Sequence, residues 1–258
     1  FTLENIRMLQ LEQNAKVEIT TEFIVVESNL HYMSLLSSST LTGRNIFVGV
    51  INITMASSAV IHTNARGHGG SSSEPGYGCD YWNSGYSRSR WGGAHGGKGG
   101  TGNGNAGHCS SGQTVYGDKD APTTMGGGAI NVKGGGVVRL DVTGLLIMEG
   151  SSRISADGGT AGDRAGGAGG SVWIRANTVD LASDAVLSVK GGDGSYGSHY
   201  HSGHRYYNHA GGGGGRMLLE IGTAAKNDAF SPTIIVSGGI KGTSHAGASD
   251  GSPGSFVG

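Results

Sequence analysis

Proline, cysteine and charge are all scarce in this chain, and each scarcity closes off a class of protein. With only four prolines and no strict Gly-X-Y period, a collagen triple helix is excluded, although 52 of the 258 residues are glycine. Charged side chains make up 14% and the formal net charge is -1, which removes any whole-chain electrostatic case for nucleic acid or an anionic membrane as partner. No apolar run approaches the ~18–20 residues that a membrane-spanning helix needs. Nor does any segment hold a 3.6-residue period for three turns, so helices are not expected. The two cysteines, Cys79 and Cys109, lie in glycine-rich sequence without metal-ligand spacing. Outside the cell they read as one disulfide closing a loop of about 31 residues, for about 3–4 kcal/mol on a chain-entropy model. In a reducing compartment they would be two free thiols. The chain opens at Phe1 without a methionine or a signal-peptide pattern, which reads as a processed product or a fragment.

What is present is a repeat. Three segments end in an alternating run followed directly by Gly-Gly: Ile154-Ser155-Ala156-Asp157, Leu187-Ser188-Val189-Lys190 and Ile234-Ile235-Val236-Ser237. Upstream lies another alternating run in each: Val138, Leu140, Val142; Val172, Ile174, Ala176; Met217, Leu219, Ile221. Glycines introduce all three, and a third short run sits between, Leu145-Leu146-Ile147 in the first unit and Val179-Asp180-Leu181 in the second. A divergent copy covers Ile46 to Asn64, and the N-terminal stretch offers further candidate strands at Ile6 to Leu11, Val17 to Ile19, Phe23 to Val26 and Leu30 to Met33.

Alternation with period two gives each strand one buried face. A unit of about 20 residues cannot bury that face alone, so neighbours must stack. The expected fold is therefore an all-β, right-handed parallel β-helix (β-solenoid) with three short strands per coil and long glycine-rich loops leaving one edge. A β-sandwich would explain the alternation but not a three-strand unit that keeps returning to Gly-Gly. On this reading residues 1–258 form a single domain. Residues 1–64 are N-terminal coils, 65–136 a long glycine and aromatic insertion, and 137–258 C-terminal coils with a Gly/His/Tyr loop at 191–215.

Those two long loops hold 10 of the chain's 12 Tyr and Trp residues: Tyr77, Tyr81, Trp82, Tyr86, Trp91, Tyr116, Tyr196, Tyr200, Tyr206 and Tyr207. Such segregation points to an ordered contact layer rather than a flexible spacer, since rings give contact area at low entropic cost. His199, His201, His204 and His209 are dense enough to be considered as zinc or copper ligands. Their spacing matches no zinc signature, so histidines donating to loop carbonyls are expected instead, and no metal or other cofactor. Asn52-Ile53-Thr54 is the one N-glycosylation sequon. Gly158 to Asp163 departs from a calcium-binding nonapeptide, and Asp118-Lys119-Asp120 is an equally slight calcium signal.

Sugar-cleaving enzymes need a pair of carboxylates, and the outward column of the first strands reads Gly49, Asp141, Arg175, Glu220. Arginine between the two acids makes a ladder that keeps both ionised, the opposite of what a general acid requires. No catalytic residue is assigned. The neighbouring outward column, Phe47, Arg139, Trp173, Leu218, is too apolar for open solvent, so loops or a partner should cover it.

The cadence of Gly166 to Ala176, then Leu187-Ser-Val-Lys-Gly-Gly-Asp-Gly, then the five glycines from Gly211 running into Arg216-Met-Leu-Leu-Glu220, resembles glycine-rich parallel β-helix repeats in very large secreted or surface proteins of microbes, protists and bacteria among them. The resemblance spans roughly residues 126–240 and implies a surface, adhesive or fibre-forming role with no catalytic residues. The expected function is an extracellular structural module, secreted or at the cell surface, self-associating into a filament or continuing into a longer chain. The abrupt Phe1-Thr2-Leu3 and Ser255-Phe256-Val257, which look like cut strands, suggest that continuation. The alternative is a carbohydrate-binding or carbohydrate-processing protein using the loop aromatics as sugar platforms. An ice-binding threonine face lacks its recurring Thr-x-Thr column.

Overall fold

The structure, a computed structural model, describes every residue except 1, 4–6, 20–23, 27–29, 84–86, 103–113, 161, 163, 198–206, 224–231 and 243–247. Strands follow one another in stacked units. The first comprises β1 (Thr2–Leu3), β2 (Met8–Leu11) and β3 (Lys16–Glu18). The second comprises β4 (Ile24–Val26), β5 (Tyr32–Leu35) and β6 (Thr40–Thr42), and the third β7 (Asn45–Val50), β8 (Asn52–Met55) and β9 (Val60–His62). A hairpin, β10 (Asp80–Asn83) and β11 (Ser87–Arg90), belongs to the insertion. Units four and five have two strands each, β12 (Val137–Met148) with β13 (Arg153–Ser155), and β14 (Ser171–Leu181) with β15 (Val186–Ser188). After a short pair, β16 (Tyr196–Gly197) and β17 (Tyr207–Asn208), come β18 (Arg216–Thr223), β19 (Thr233–Ile235) and β20 (Ser255–Val257).

Apart from the antiparallel pairs β10–β11 and β16–β17, these strands form two parallel sheets. The larger, of ten strands, runs β1-β4-β7-β12-β14-β18-β20 and includes the branch β2-β5-β8, which joins at β12. The smaller, of six, runs β3-β6-β9-β13-β15-β19. The registers match the sequence repeat: Val138 lies beside Ile46 and Val172, and Val172 beside Met217. In the second sheet Ile61, Ile154, Leu187 and Ile234 stand in one column. Inward residues of both sheets make one continuous apolar cluster that extends from Leu11 to Leu219, with Leu30, Ile53, Leu140 and Ile154 fully enclosed.

The expected β-helix of three short strands per coil is corrected here, for two reasons. First, the corner expected between the first and second runs is absent from the later units. Only Thr143-Gly144 separates Val142 from Leu145, and Gly144 N–H still donates to Ile51 O at 2.8 Å, so β12 continues through a bulge instead of turning. Its first half pairs with β7 and its second half with β8, which places both runs in one sheet and leaves two sheets rather than three. A turn does form between the sheets. Backbone bonds Ser39 N to Leu36 O, Ala59 N to Ala56 O and Ser152 N to Glu149 O close the same four-residue turn in successive units. Its third residue is left-handed in Asn14, Ser38, Ser58 and Ser151, with φ of 60°, 59°, 63° and 58°.

Second, the glycine segments are not loops thrown from an edge. They pack on one another and on the sheets as a layer of buried backbone. Between 166 and 170, successive N–H groups donate to Ala210 O, Gly159 O, Gly127 O, Gly213 O and Ala156 O. Residues 166 and 169 thus address one neighbouring segment, 167 and 170 a second, and 168 a third. The same rotation recurs at 211–215, whose donors go to Ser249, Gly192, Gly93, Ser252 and Val189. A period of three is that of the polyproline-II helix, whose groups all point outward to neighbours. Glycine is required there by closeness rather than by unusual torsions. A Cβ on Gly166 would sit 1.8 Å from Gly192 O, and one on Gly212 2.0 Å from Gly167 O. This is the logic of the collagen axis carried into a layer.

Candidate functional site

The outer face of the ten-stranded sheet carries the most concentrated chemistry. Asp141 is paired across the ladder with Arg175, and Arg175 with Glu220, in the column anticipated from sequence. Arg139 Nε donates to Asp141 Oδ2 at 2.9 Å, and Arg175 Nε donates to Glu220 Oε2 at 3.0 Å. Arg175 Nη1 lies 3.9 Å from Asp141 Oδ1, so one guanidinium spans the two acids. Trp173 stands one position away. Its indole N–H donates to Glu220 Oε2 at 2.7 Å, while the Arg139 and Arg175 guanidinium carbons lie 4.2 and 5.2 Å from its ring centroid.

These arginines change how the apolar column is covered. Trp173 is only 8% exposed and Leu218 5%, although both point outward from their strands. Part of the cover over Trp173 is therefore the neighbouring arginine side chains, whose guanidinium carbons lie over the ring. The Trp173 hydrogen bond, followed by Arg175, holds the Glu220 carboxyl below the usual carboxylate range. Such a group is an acceptor and cannot store a proton near neutrality. A shallow groove of about 790 Å³ runs over this ladder, lined by Asp141, Thr143, Arg175, Asn177, Glu220 and Gly222. It presents ionic acceptors and donors in alternation.

Family models, curated proteins and solved structures offer no match to this chain. The reading of the face rests on its own geometry.

The sequence candidates are scattered rather than gathered. Cys79 is in a disulfide, while Cys109 lies outside the described residues. His199, His201 and His204 also lie outside them, and His209 is buried beside the glycine layer. Among the described residues no three of His, Cys, Asp and Glu group as a metal site would need. No helix of the described residues is long and apolar enough to cross a membrane.

Of the loop aromatics, Tyr77 and Trp91 are buried in the insertion. Tyr81 and Trp82 are in β10, Tyr196 in β16 and Tyr207 in β17, while Tyr86, Tyr200 and Tyr206 lie outside the described residues. Tyr116 sits in the segment 114–126, which crosses the starts of the sheet strands. Asn52 is inside β8, and its Oδ1 accepts from Leu145 N at 2.9 Å, filling the gap at the bulge. The sequon asparagine therefore has a structural bond.

Three residues that hold the insertion against the sheet, His95, Thr124 and Arg216, do not emerge from the sequence pattern. The nearest thing to a signal is that His95 alone among the histidines stands between two glycine pairs, Gly92-Gly93 and Gly96-Gly97.

Proposed function

We propose that this chain is an extracellular structural module of a surface fibre or matrix, a scaffold and not a catalyst. The observation that carries the reading is the division of labour in the molecule. Most of the described glycine-rich sequence goes into a hydrogen-bonded backbone layer, and Glu220 of the outer face is held ionised by Trp173 and Arg175. Together these favour a stiff, chemically quiet body. The Cys79 disulfide supports placement outside the cell, where such bonds persist. Among the described residues, β2 and β20 in one sheet and β3 and β19 in the other are each paired on one side only. Strand edges of this kind accept further strands, whether from a second copy or from more chain of the same design.

A glycan partner is the second reading, favoured by the groove over Asp141, Arg175 and Glu220. Binding without cleavage is what its fixed charges support. Negative-stain imaging of the native material separates the two. Fibres with a regular axial repeat are expected. Discrete particles with glycan-cleaving activity would remove the structural reading.

A further inference from the structure

Segment 114–126 of the insertion lies as a strap across the strand starts of the larger sheet, anchored at its far end where Gly126 N–H donates to Gly135 O at 2.8 Å and Gly126 O accepts from His68 N–H at 3.1 Å. Tyr116 N donates to His95 O at 3.0 Å, and Arg216 Nε donates to Tyr116 O at 2.8 Å. Ser171 Oγ donates to Thr124 O at 2.6 Å, and Arg44 Nε reaches Met125 Sδ at 3.3 Å. Most of its side chains from Thr114 to Asp120 are exposed, and apolar burial holds it mainly through Tyr116 and Pro122. Segments with that profile sit at the low end of local stability.

One further attachment is unlike the others. His95 is fully buried, between the strap and the glycine layer. Its Nδ1 is 2.9 Å from Gly169 O and its Nε2 2.8 Å from Thr124 Oγ1. A carbonyl can only accept, so Nδ1 carries the hydrogen and Nε2 is a bare acceptor for the Thr124 hydroxyl. The ring is thus neutral and fixed in one tautomer, with the layer on one side and the strap on the other. Tyr116 packs against it at a centroid distance of 4.9 Å. The charged and titratable groups around this junction are Arg216 from β18, His68 from the insertion, and Tyr116, with Asp118 near Arg216 and Glu74 near Tyr116.

We infer that His95 is an acid-sensitive latch, whose protonation releases the strap while the two sheets and the glycine layer stay folded. Protonating Nε2 puts a hydrogen where the Thr124 hydroxyl donates, and it buries a cation close to Arg216 with no carboxylate of the described residues in contact. Opening the strap exposes the ring to water and removes both penalties. It also frees the Ser171 hydroxyl and the Arg216 Nε at the strand starts for another partner, while Arg216 Nη1 keeps its 3.1 Å bond to Ser255 Oγ. Burial depresses the ring to about 3 from its ordinary value of 6.5, and Arg216 adds to the effect. The closed form is therefore favoured fully above about 6.5 and progressively less as pH falls toward about 3.

Amide exchange on the full chain between pH 7 and 4, corrected for intrinsic rates, tests this directly. Protection at Tyr116 should fall about tenfold per pH unit below about 6, with β12 and β14 unaffected. In His95→Gln, whose amide can donate to Gly169 O and accept from Thr124 without titrating, the dependence should vanish. Thr124→Val serves if that variant does not fold: its strap should be open at pH 7 with the sheets still protected. Loss of strap and sheet protection together on acidification would overturn the latch. So would pH-independent protection in the wild type, or a strap still closed in Thr124→Val.

Discussion

Up to about residue 64, chain leaving the small sheet returns to the large one almost at once. Thr42 to Asn45 takes only two intervening residues, Gly43 and Arg44. From residue 65 onward the described passages run through the glycine layer before the large sheet resumes. Both regions share the same apolar cluster and are in register with one another, and apart from the longer strands of the later units they differ chiefly in the connection. The first region is stabilised by carbon: fully enclosed Leu35, Ile46, Ile53 and Met55 fill the space between its sheets. The layer is stabilised by the absence of carbon, since backbones approach until their amides pair. Opposite substitutions should therefore damage the two regions.

The largest effect is expected from adding one methyl group to the layer. Gly212→Ala should lose about 4 kcal/mol or more in chemical denaturation, because the clash is with a backbone carbonyl that no side-chain rotation relieves. Gly162→Ala, with nothing within 4 Å of its Cβ, should change stability by less than about 0.5 kcal/mol. Equal tolerance at both positions would erase the distinction between layer and loop. Next comes removal of carbon from the N-terminal units, where Ile53→Ala should cost about 3 kcal/mol by the same assay.

On the outer face the effects shrink. Arg175→Met should move the Glu220 carboxyl upward toward its ordinary value, visible by NMR titration, at a stability cost below about 1 kcal/mol because both groups are half exposed. The sign follows from the lowered folded value: the contribution is present above the unfolded carboxylate value and is lost as pH falls through the folded one. Trp173→Phe, which removes the largest single cause of the lowering, should also move Glu220 upward. Smallest is the corner turn. Ser58→Gly should raise the melting temperature slightly, gaining about 0.5 kcal/mol as relief of a left-handed serine outweighs the added chain entropy.

Much of the stack is legible in the residues themselves. The alternation of Val138, Leu140 and Val142, repeated at Val172 and Met217, fixes which strands lie side by side and which face is inward. The outward ladder of Asp141, Arg175 and Glu220 follows from the same register. Two features escape such reading, each for a physical reason. Whether a chain turns or bulges at Thr143-Gly144 depends on bonds made to Ile51 and Asn52 of the neighbouring unit, and no local pattern encodes them. The glycine layer escapes because hydrophobic periodicity is carried by side chains, and glycine has none. Its order lies in which carbonyl each amide meets, a three-residue rotation with no trace in composition. The same blindness hides His95, whose role comes from Gly169 and Thr124, 74 and 29 residues away.

The account stands or falls on whether the glycine segments are folded backbone. Site-resolved hydrogen exchange at neutral pH should find the amides of 166–170 and 211–215 as strongly protected as those of β14, with Gly212 among the slowest in the molecule. Exchange at those glycines close to unstructured rates, beside a protected β14, would show tethers where a second core is described.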